Sequence, residues 1–448
     1  MTRNTEHPPP AVPQGATRSG EAPRPQKWAW AKPWIWKGRM LSALETGVKG
    51  GRWYSLIDKV YASRTLQEAA RWVTRDPHKA AGVDHITPEQ YAKRMSEETD
   101  KLAEQLQDGT YRPQAIRRVY IPKPGSQEKR PLGIPTIRDR VVQAALRYVI
   151  EPIFERDFAE HSYGFRPGRS TKDALRRVDK LLKEGYRYIV DADLKSYFDT
   201  IPHDRLLARV GQKISDGRIL GLIKMFLEQG VMEGLSTWTP EEGTPQGAII
   251  SPLLANIYLD PLDHLMAEKG FQMVRYADDF VILCRTREEA EQALALVRQW
   301  TEEAGLQLHP TKTRIATHEE GFDFLGYHFR LGKRAYRFPR EKSLKKVYDT
   351  IRAKTRRTDG RPLTEIIADV NRTLRGWFEY YKHSTKTVFP KIDQWVRMRL
   401  RSILRRRRKG KGRGRGQDHH RWPNAFFGAH GLFDLTTAHS ELWQPSRR

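Results

Sequence analysis

Cysteine is almost missing from this chain: Cys284 is the single one. One thiol excludes an internal disulfide framework and any zinc site built on several cysteines. Long apolar runs are missing as well. No segment approaches the roughly 18 consecutive apolar residues of a membrane-spanning helix, and the opening MTRNTEHPPPAVPQG has no apolar signal-peptide core. Acids are scarce relative to bases, 54 Asp plus Glu against 80 Lys plus Arg, which leaves a formal net charge of +26. Such a surplus implies a polyanionic partner, nucleic acid ahead of a membrane surface. These features describe a soluble, cytoplasmic, nucleic-acid-binding protein. Its 448 residues, 38% of them hydrophobic, are enough for a sizeable core and several domains.

Residues 1–27 are rich in Pro, Gly, Ser and charge and predict disorder. In the next stretch, KWAWAKPWIWKGR, Trp28, Trp30, Trp34 and Trp36 alternate with basic residues. That pattern suits either base stacking beside phosphate contacts or a hydrophobic clasp onto the main body. Residues 28–110 form an N-terminal extension, mostly helical, with apolar positions at Leu56, Val60, Leu66 and Trp72 and with Thr87 as a helix cap. From 111 to 335, strand-like runs (RRVYIPK, YRYIVDADL, FLGYHFRL) alternate with helical ones. Residues 341–408 turn helical again, and Ile392, Trp395, Val396, Leu400, Ile403 and Leu404 fall on one face. The other face is Arg-rich. Arg397, Arg401, Arg405, Arg406, Arg407, Arg408, Lys409 and Lys411 are candidate contacts to a nucleic-acid backbone, against the alternative of a solvated tail. Residues 409–448 are then a basic linker and a short aromatic appendage that binds DNA or RNA.

Two carboxylates stand side by side in VRYADDFVILC (274–284), between runs that read as strand, turn, strand. Asp278 and Asp279 are either a solvated acidic turn or part of a site for a hard cation, which needs a further carboxylate. IVDADLKSYFDTIPHD (189–204) supplies a candidate. Asp191 and Asp193 lie two apart on a strand and share a face, and a helix is expected to open near Ile201-Pro202, capped by Asp199 or Thr200. Acids from a strand end and a hairpin are what a two-metal phosphoryl-transfer site requires. All-oxygen ligands favour Mg²⁺ over Zn²⁺.

At this point the chain resembles a known family, the reverse transcriptases encoded by bacterial group II introns. The resemblance rests on RPLGIPTIRDRVVQ (130–143), HSYGFRPGRS (161–170), DADLKSYFD (191–199), GTPQGAIISPLLANIYLD (243–260), RYADDF (275–280), GLQLHPTKT (305–313) and FDFLGYHF (322–329), all in the family's order, followed by LRGWFEYY (374–381). It implies an α+β right-hand polymerase: fingers and palm over 111–335, then an α-helical thumb or maturase domain over 341–408. It also implies two Mg²⁺ ions, with Mn²⁺ able to substitute, held by Asp193, Asp278 and Asp279; Asp191 falls outside that set. Phe198 matches the ring that excludes a 2′-hydroxyl. Lys123 and Arg130 match cations that approach the triphosphate. Gln246 matches the residue lying against the nucleotide, with Gly247 allowing close backbone approach. Lys312 matches a general acid for the departing pyrophosphate, although His309-Pro310 replaces the family's usual Asn and its neighbour.

The implied partners are dNTPs, an RNA template, a DNA primer or target, and the intron RNA that such proteins help to splice and carry into DNA. The resemblance leaves monomer or homodimer open. The His-Asn-His endonuclease of some relatives is not expected here, since there are no Cys pairs and the tail is short. Two alternatives stay open: a splicing cofactor without polymerase activity, and a retron, defence or CRISPR-associated reverse transcriptase.

Overall fold

The computed structural model describes residues 26–48, 50–122, 129–234, 236–331, 335–414 and 416–442. Most of the segment expected to be disordered, and Lys123, lie outside them. Eleven strands are described: β1 (Ile116–Pro122), β2 (Lys129–Ile134), β3 (Tyr188–Asp193), β4 (Val231–Glu233), β5 (Ser236–Trp238), β6 (Gln272–Tyr276), β7 (Asp279–Cys284), β8 (Arg314–Thr317), β9 (Phe322–Phe324), β10 (Tyr327–Leu331) and β11 (Ala335–Pro339). They form three small sheets, ordered β2-β1-β4-β5, β6-β7-β3-β8 and β11-β10-β9. The expected mixed body followed by a helical region is what the chain adopts. No helix among the described residues is long and apolar enough to cross a membrane.

The central sheet, β6-β7-β3-β8, is antiparallel throughout and carries the DD turn. Its apolar residues go to two cores. Val190, Ala192, Phe280 and Ile282 pack with helices Ile137–Glu155 and Ser251–Glu268, which are buried along almost their whole length. Ile189, Val281 and Leu283 face the other way, against helix Thr171–Lys183 and the β9–β10 aromatics. This division follows from the period of two along each strand.

The tryptophan segment is a clasp. Trp28 and Trp36 are fully buried. The Trp36 indole N–H donates to the Tyr148 carbonyl at 3.0 Å, and the Trp34 indole to the Thr65 hydroxyl at 3.3 Å. Trp28 and Trp36, enclosed in the core, are not free to stack on bases, and Trp30 and Trp34 pack half-buried against it. Further along, Asp216 ties the N-terminal extension to the body: its carboxylate accepts the backbone N–H groups of Leu56 and Ile57 and also caps helix Gly217–Leu227. Thr87 caps helix Pro88–Lys93 in a reciprocal box with Gln90, as its position predicts. Trp72, by contrast, is 42% exposed, off the face that Leu66, Ala69, Ala70 and Val73 bury.

The C-terminal helices pack around a third core in which Ile392, Val396, Leu400 and Ile403 are buried, with Trp395 and Leu404 at its edge. The opposite face of helix Val388–Arg407 departs from the expected nucleic-acid surface. Arg401 is buried and donates to the Trp422 carbonyl and the Asn424 side chain. Arg397 pairs with Asp434, and Arg405 with Asp418. Arg407 donates to the backbone carbonyls of Asp359 and Arg361. These arginines bind residues 359–361 and 418–434 to the helix, so Arg401 is withdrawn from the candidate surface and the other three are engaged. Arg406, Arg408, Lys409 and Lys411 remain exposed.

Candidate active site

Register decides which carboxylates meet. In the antiparallel β3–β7 pair, Asp193 stands opposite Asp279, and Asp191 opposite Val281. Residues directly opposite one another point to the same side of a sheet, so Asp191, Asp193 and Asp279 share one face at one end of β3. Asp278 occupies the β6–β7 turn, reached through Ala277 at a left-handed φ of 59°.

The acids oppose one another's ionisation. Burial pushes the Asp279 carboxyl up to about 7, and the charges of Asp191, Asp278 and Asp193 add to that, while the Leu325 backbone N–H partly offsets them. Burial likewise raises Asp278, with Asp193 reinforcing it. Asp191 rises to about 6, mainly through burial, moderated by Arg314 across the β3–β8 pair. Asp193 has a cation of its own: the Lys312 ammonium lies 2.7 Å from its carboxylate. His309 does not disturb that placement, because its backbone N–H donates to the Asp193 carbonyl at 2.7 Å whatever the side chain.

Among the described residues, no three His, Cys, Asp or Glu side chains converge tightly enough to enclose one ion unaided. The chemistry of the donors nevertheless fits a hard cation. They are all oxygens, gathered on one sheet end, with ionisation suppressed by burial and mutual repulsion, and a divalent ion relieves both.

Beside this face is a cleft of about 180 Å³ lined by Phe198, Asp199, Gln246, Gly133, Arg118 and Trp238, among others. The Gln246 amide reaches the Asp199 carboxylate at 3.4 Å. Asp199 and Thr200 do not cap the following helix, His203–Gly211, whose cap position is Pro202; Asp199 faces the cleft. Arg130, exposed on β2 opposite Ile121, opposes by its charge the rise that burial imposes on the carboxyls of Asp199 and Asp278. Gly247 permits a close approach to protein: a Cβ there would lie 2.4 Å from the Gly133 carbonyl, at a φ of 112°. The TPQG loop is thereby pressed onto β2, where the Gly133 N–H donates to the Gln246 carbonyl at 2.7 Å.

Sequence reasoning passed over several residues here. Arg118 and Asp199 belong to the cleft; Asp199 was legible only as a possible helix cap. Leu325 and Tyr380 gave none, since their roles are tertiary. Tyr380, in the helical region, donates its hydroxyl to the Leu325 carbonyl at 2.7 Å, and the Leu325 N–H meets Asp279.

Residues 121–329 match the family described as reverse transcriptase (RNA-dependent DNA polymerase), and residues 344–422 the group II intron, maturase-specific domain. Protein YkfC of Escherichia coli (strain K12) is 35% identical over 303 residues, covering 58% of this chain and 79% of YkfC. The group II intron-encoded protein LtrA of Lactococcus lactis subsp. cremoris is 44% identical over 172 residues, 38% of this chain and only 28% of LtrA. Among solved structures, a chain of a partial Cas6-RT-Cas1–Cas2 complex aligns over 56% of this chain and 41% of its own length at 25% identity, with a TM-score of 0.37.

Proposed function

The chain belongs to the reverse transcriptases, RNA-dependent DNA polymerases, and carries a group II intron maturase domain; from that premise we propose that it copies RNA into DNA at the sheet end bearing Asp193, Asp278 and Asp279, and binds its intron RNA to assist splicing and insertion. The observation that carries this reading is the β3–β7 register, which sets Asp193 across from Asp279 with Asp278 in the adjoining turn. Asp193, Asp278 and Asp279 would hold the ions, Mg²⁺ with Mn²⁺ as substitute. When bound, such ions activate the attacking hydroxyl and neutralise the departing pyrophosphate.

The protein groups do the rest. The Phe198 ring, half-buried in the cleft, leaves no room for a 2′-hydroxyl and so favours deoxyribonucleotides. Arg130 offers a fork of donors to the triphosphate, with Lys123, which lies outside the described residues, as its expected companion. Gln246, tethered to Asp199, lies against the nucleotide. The Lys312 ammonium donates a proton to the leaving pyrophosphate oxygen. Intron RNA and template meet the exposed cations Arg406, Arg408, Lys409 and Lys411, in a cytoplasmic ribonucleoprotein.

Primer extension on an RNA template with dNTPs and Mg²⁺ tests the reading, with Asp278→Asn beside the unaltered protein. The variant should lose at least about 10²-fold in rate while its RNA affinity stays within about twofold. Equal synthesis by both proteins, or a collapse of RNA binding in the variant, would sink it.

A further inference from the structure

The DD turn is not held by its own backbone alone. Ala277 sits in the left-handed region with φ 59°, a conformation an alanine keeps only where its surroundings impose it. Directly before the turn's Tyr276 is Arg275, a fully buried arginine. Its guanidinium engages three partners at once. Nε donates to both Asp263 carboxylate oxygens at 2.8 and 3.0 Å, with Nη2 completing the pair. Nη1 donates to the Asn256 side-chain oxygen at 2.9 Å and to the Ala277 carbonyl at 2.8 Å.

The contacts form a connected frame around the turn. Asn256 donates its amide to the Gly164 carbonyl at 2.8 Å. Gly164 lies so close beneath the turn that a Cβ on it would be 2.2 Å from the Ala277 nitrogen. The Arg275 backbone is bound as well, accepting from the Tyr163 N–H at 2.8 Å and donating to the His161 carbonyl at 3.0 Å. Helix Ser251–Glu268 and the turn are thus joined through one guanidinium, and loop 161–164 is tied in through the Asn256 amide and the Arg275 backbone. For core stability alone, an apolar residue would serve as well, because a buried ion pair rarely stabilises more than its hydrophobic replacement.

We infer that Arg275, oriented by Asp263 and Asn256, is a positioning residue for the polymerase, fixing the left-handed turn at Ala277 and through it the direction of the Asp278 carboxylate. The inference rests on the reading of Asp278 as an ion-binding acid. A lysine at 275 keeps the charge opposite Asp263 but cannot fork to Asn256 and Ala277 as well.

The test compares Arg275→Lys and the paired replacement Arg275→Met with Asp263→Leu, which exchanges the ion pair for apolar groups of similar size. Mn²⁺ binding would be titrated by electron paramagnetic resonance in the complex with template, chain-terminated primer and dNTP, so that no turnover is needed. Primer extension at saturating metal would give kcat and KM separately, and Asp278→Asn would run in parallel. Folded variants should bind Mn²⁺ about tenfold more weakly, with kcat lowered and KM for dNTP within about twofold. Wild-type Mn²⁺ affinity in either folded variant would overturn the inference, and so would failure of both to fold, which would make Arg275 a core residue only. Synthesis by Asp278→Asn would instead overturn the site reading beneath it.

Discussion

Asp279 concentrates the electrostatic cost of the site. It faces Asp193 across the sheet and is flanked by Asp191 and Asp278, with Lys312 engaged on Asp193. Nothing in VRYADDFVILC by itself distinguishes this from a solvated turn; the partner acids come from about 85 residues away in sequence and arrive only through strand pairing. Phe198 presents a more local case. Its ring lines the cleft next to Asp199 and Gln246, so Phe198→Ala is expected to open the space a 2′-hydroxyl needs. Ribonucleotide incorporation should rise by about tenfold or more, in keeping with roughly 1–3 kcal/mol of steric discrimination. Competition between rNTP and dNTP in primer extension measures it, and unchanged sugar selectivity would remove Phe198 from that role.

Elements explain where pattern reading worked and where it stopped. Helix Val388–Arg407 shows its apolar face as predicted, since burial follows the helical period. Its basic face could not be sorted from sequence, because an arginine bound to a carbonyl and one awaiting phosphate look alike. Arg401→Ala is therefore expected to destabilise the C-terminal region, leaving the Trp422 and Asn424 acceptors without their donor, by about 1–3 kcal/mol. Arg406→Ala with Arg408→Ala should leave stability within about 0.5 kcal/mol and flatten the salt dependence of RNA affinity by roughly 0.7–0.9 per lost phosphate contact. Urea unfolding and binding titrations over a salt series separate the two sets; identical behaviour would mean that the division is wrong. At the other end, Trp36→Ala should cost about 3–5 kcal/mol as the clasp opens on Tyr148. A variant that kept its stability but lost RNA affinity would return Trp36 to base stacking.

At the scale of the whole molecule, pH links the site to stability. Asp279 and Asp191 have carboxyls raised to about 7 and about 6. The folded chain therefore keeps protons that the unfolded chain releases near pH 4. Their contribution to stability is full below that pH and is lost as pH rises through about 6 to 7. Without divalent ions, Tm should fall over this window, and Asp279→Asn should flatten the decline and exceed the unaltered protein at pH 8. Added Mg²⁺ should raise Tm more at pH 8 than at pH 5.5, since ions bind ionised carboxylates. Differential scanning fluorimetry in EDTA and in Mg²⁺ decides it, and equal Mg²⁺ shifts at both values would count against an ion site at these acids. The helical C-terminal region reaches these acids through Tyr380, whose hydroxyl donates to the Leu325 carbonyl beside Asp279.

The sequence by itself determined the mixed architecture, the helical C-terminal region, the strand–turn–strand around Asp278 and the need for a polyanionic partner. Those are properties of period, composition and turn chemistry, which act over a few residues at a time. Tertiary structure decided that the tryptophans clasp, that Arg397, Arg401, Arg405 and Arg407 bind protein, and that Asp199 faces a cleft instead of capping a helix. It also decided that Arg275 frames the turn. Each of these depends on which distant backbone carbonyl or carboxylate lies within about 3 Å, and only the packed chain fixes that distance.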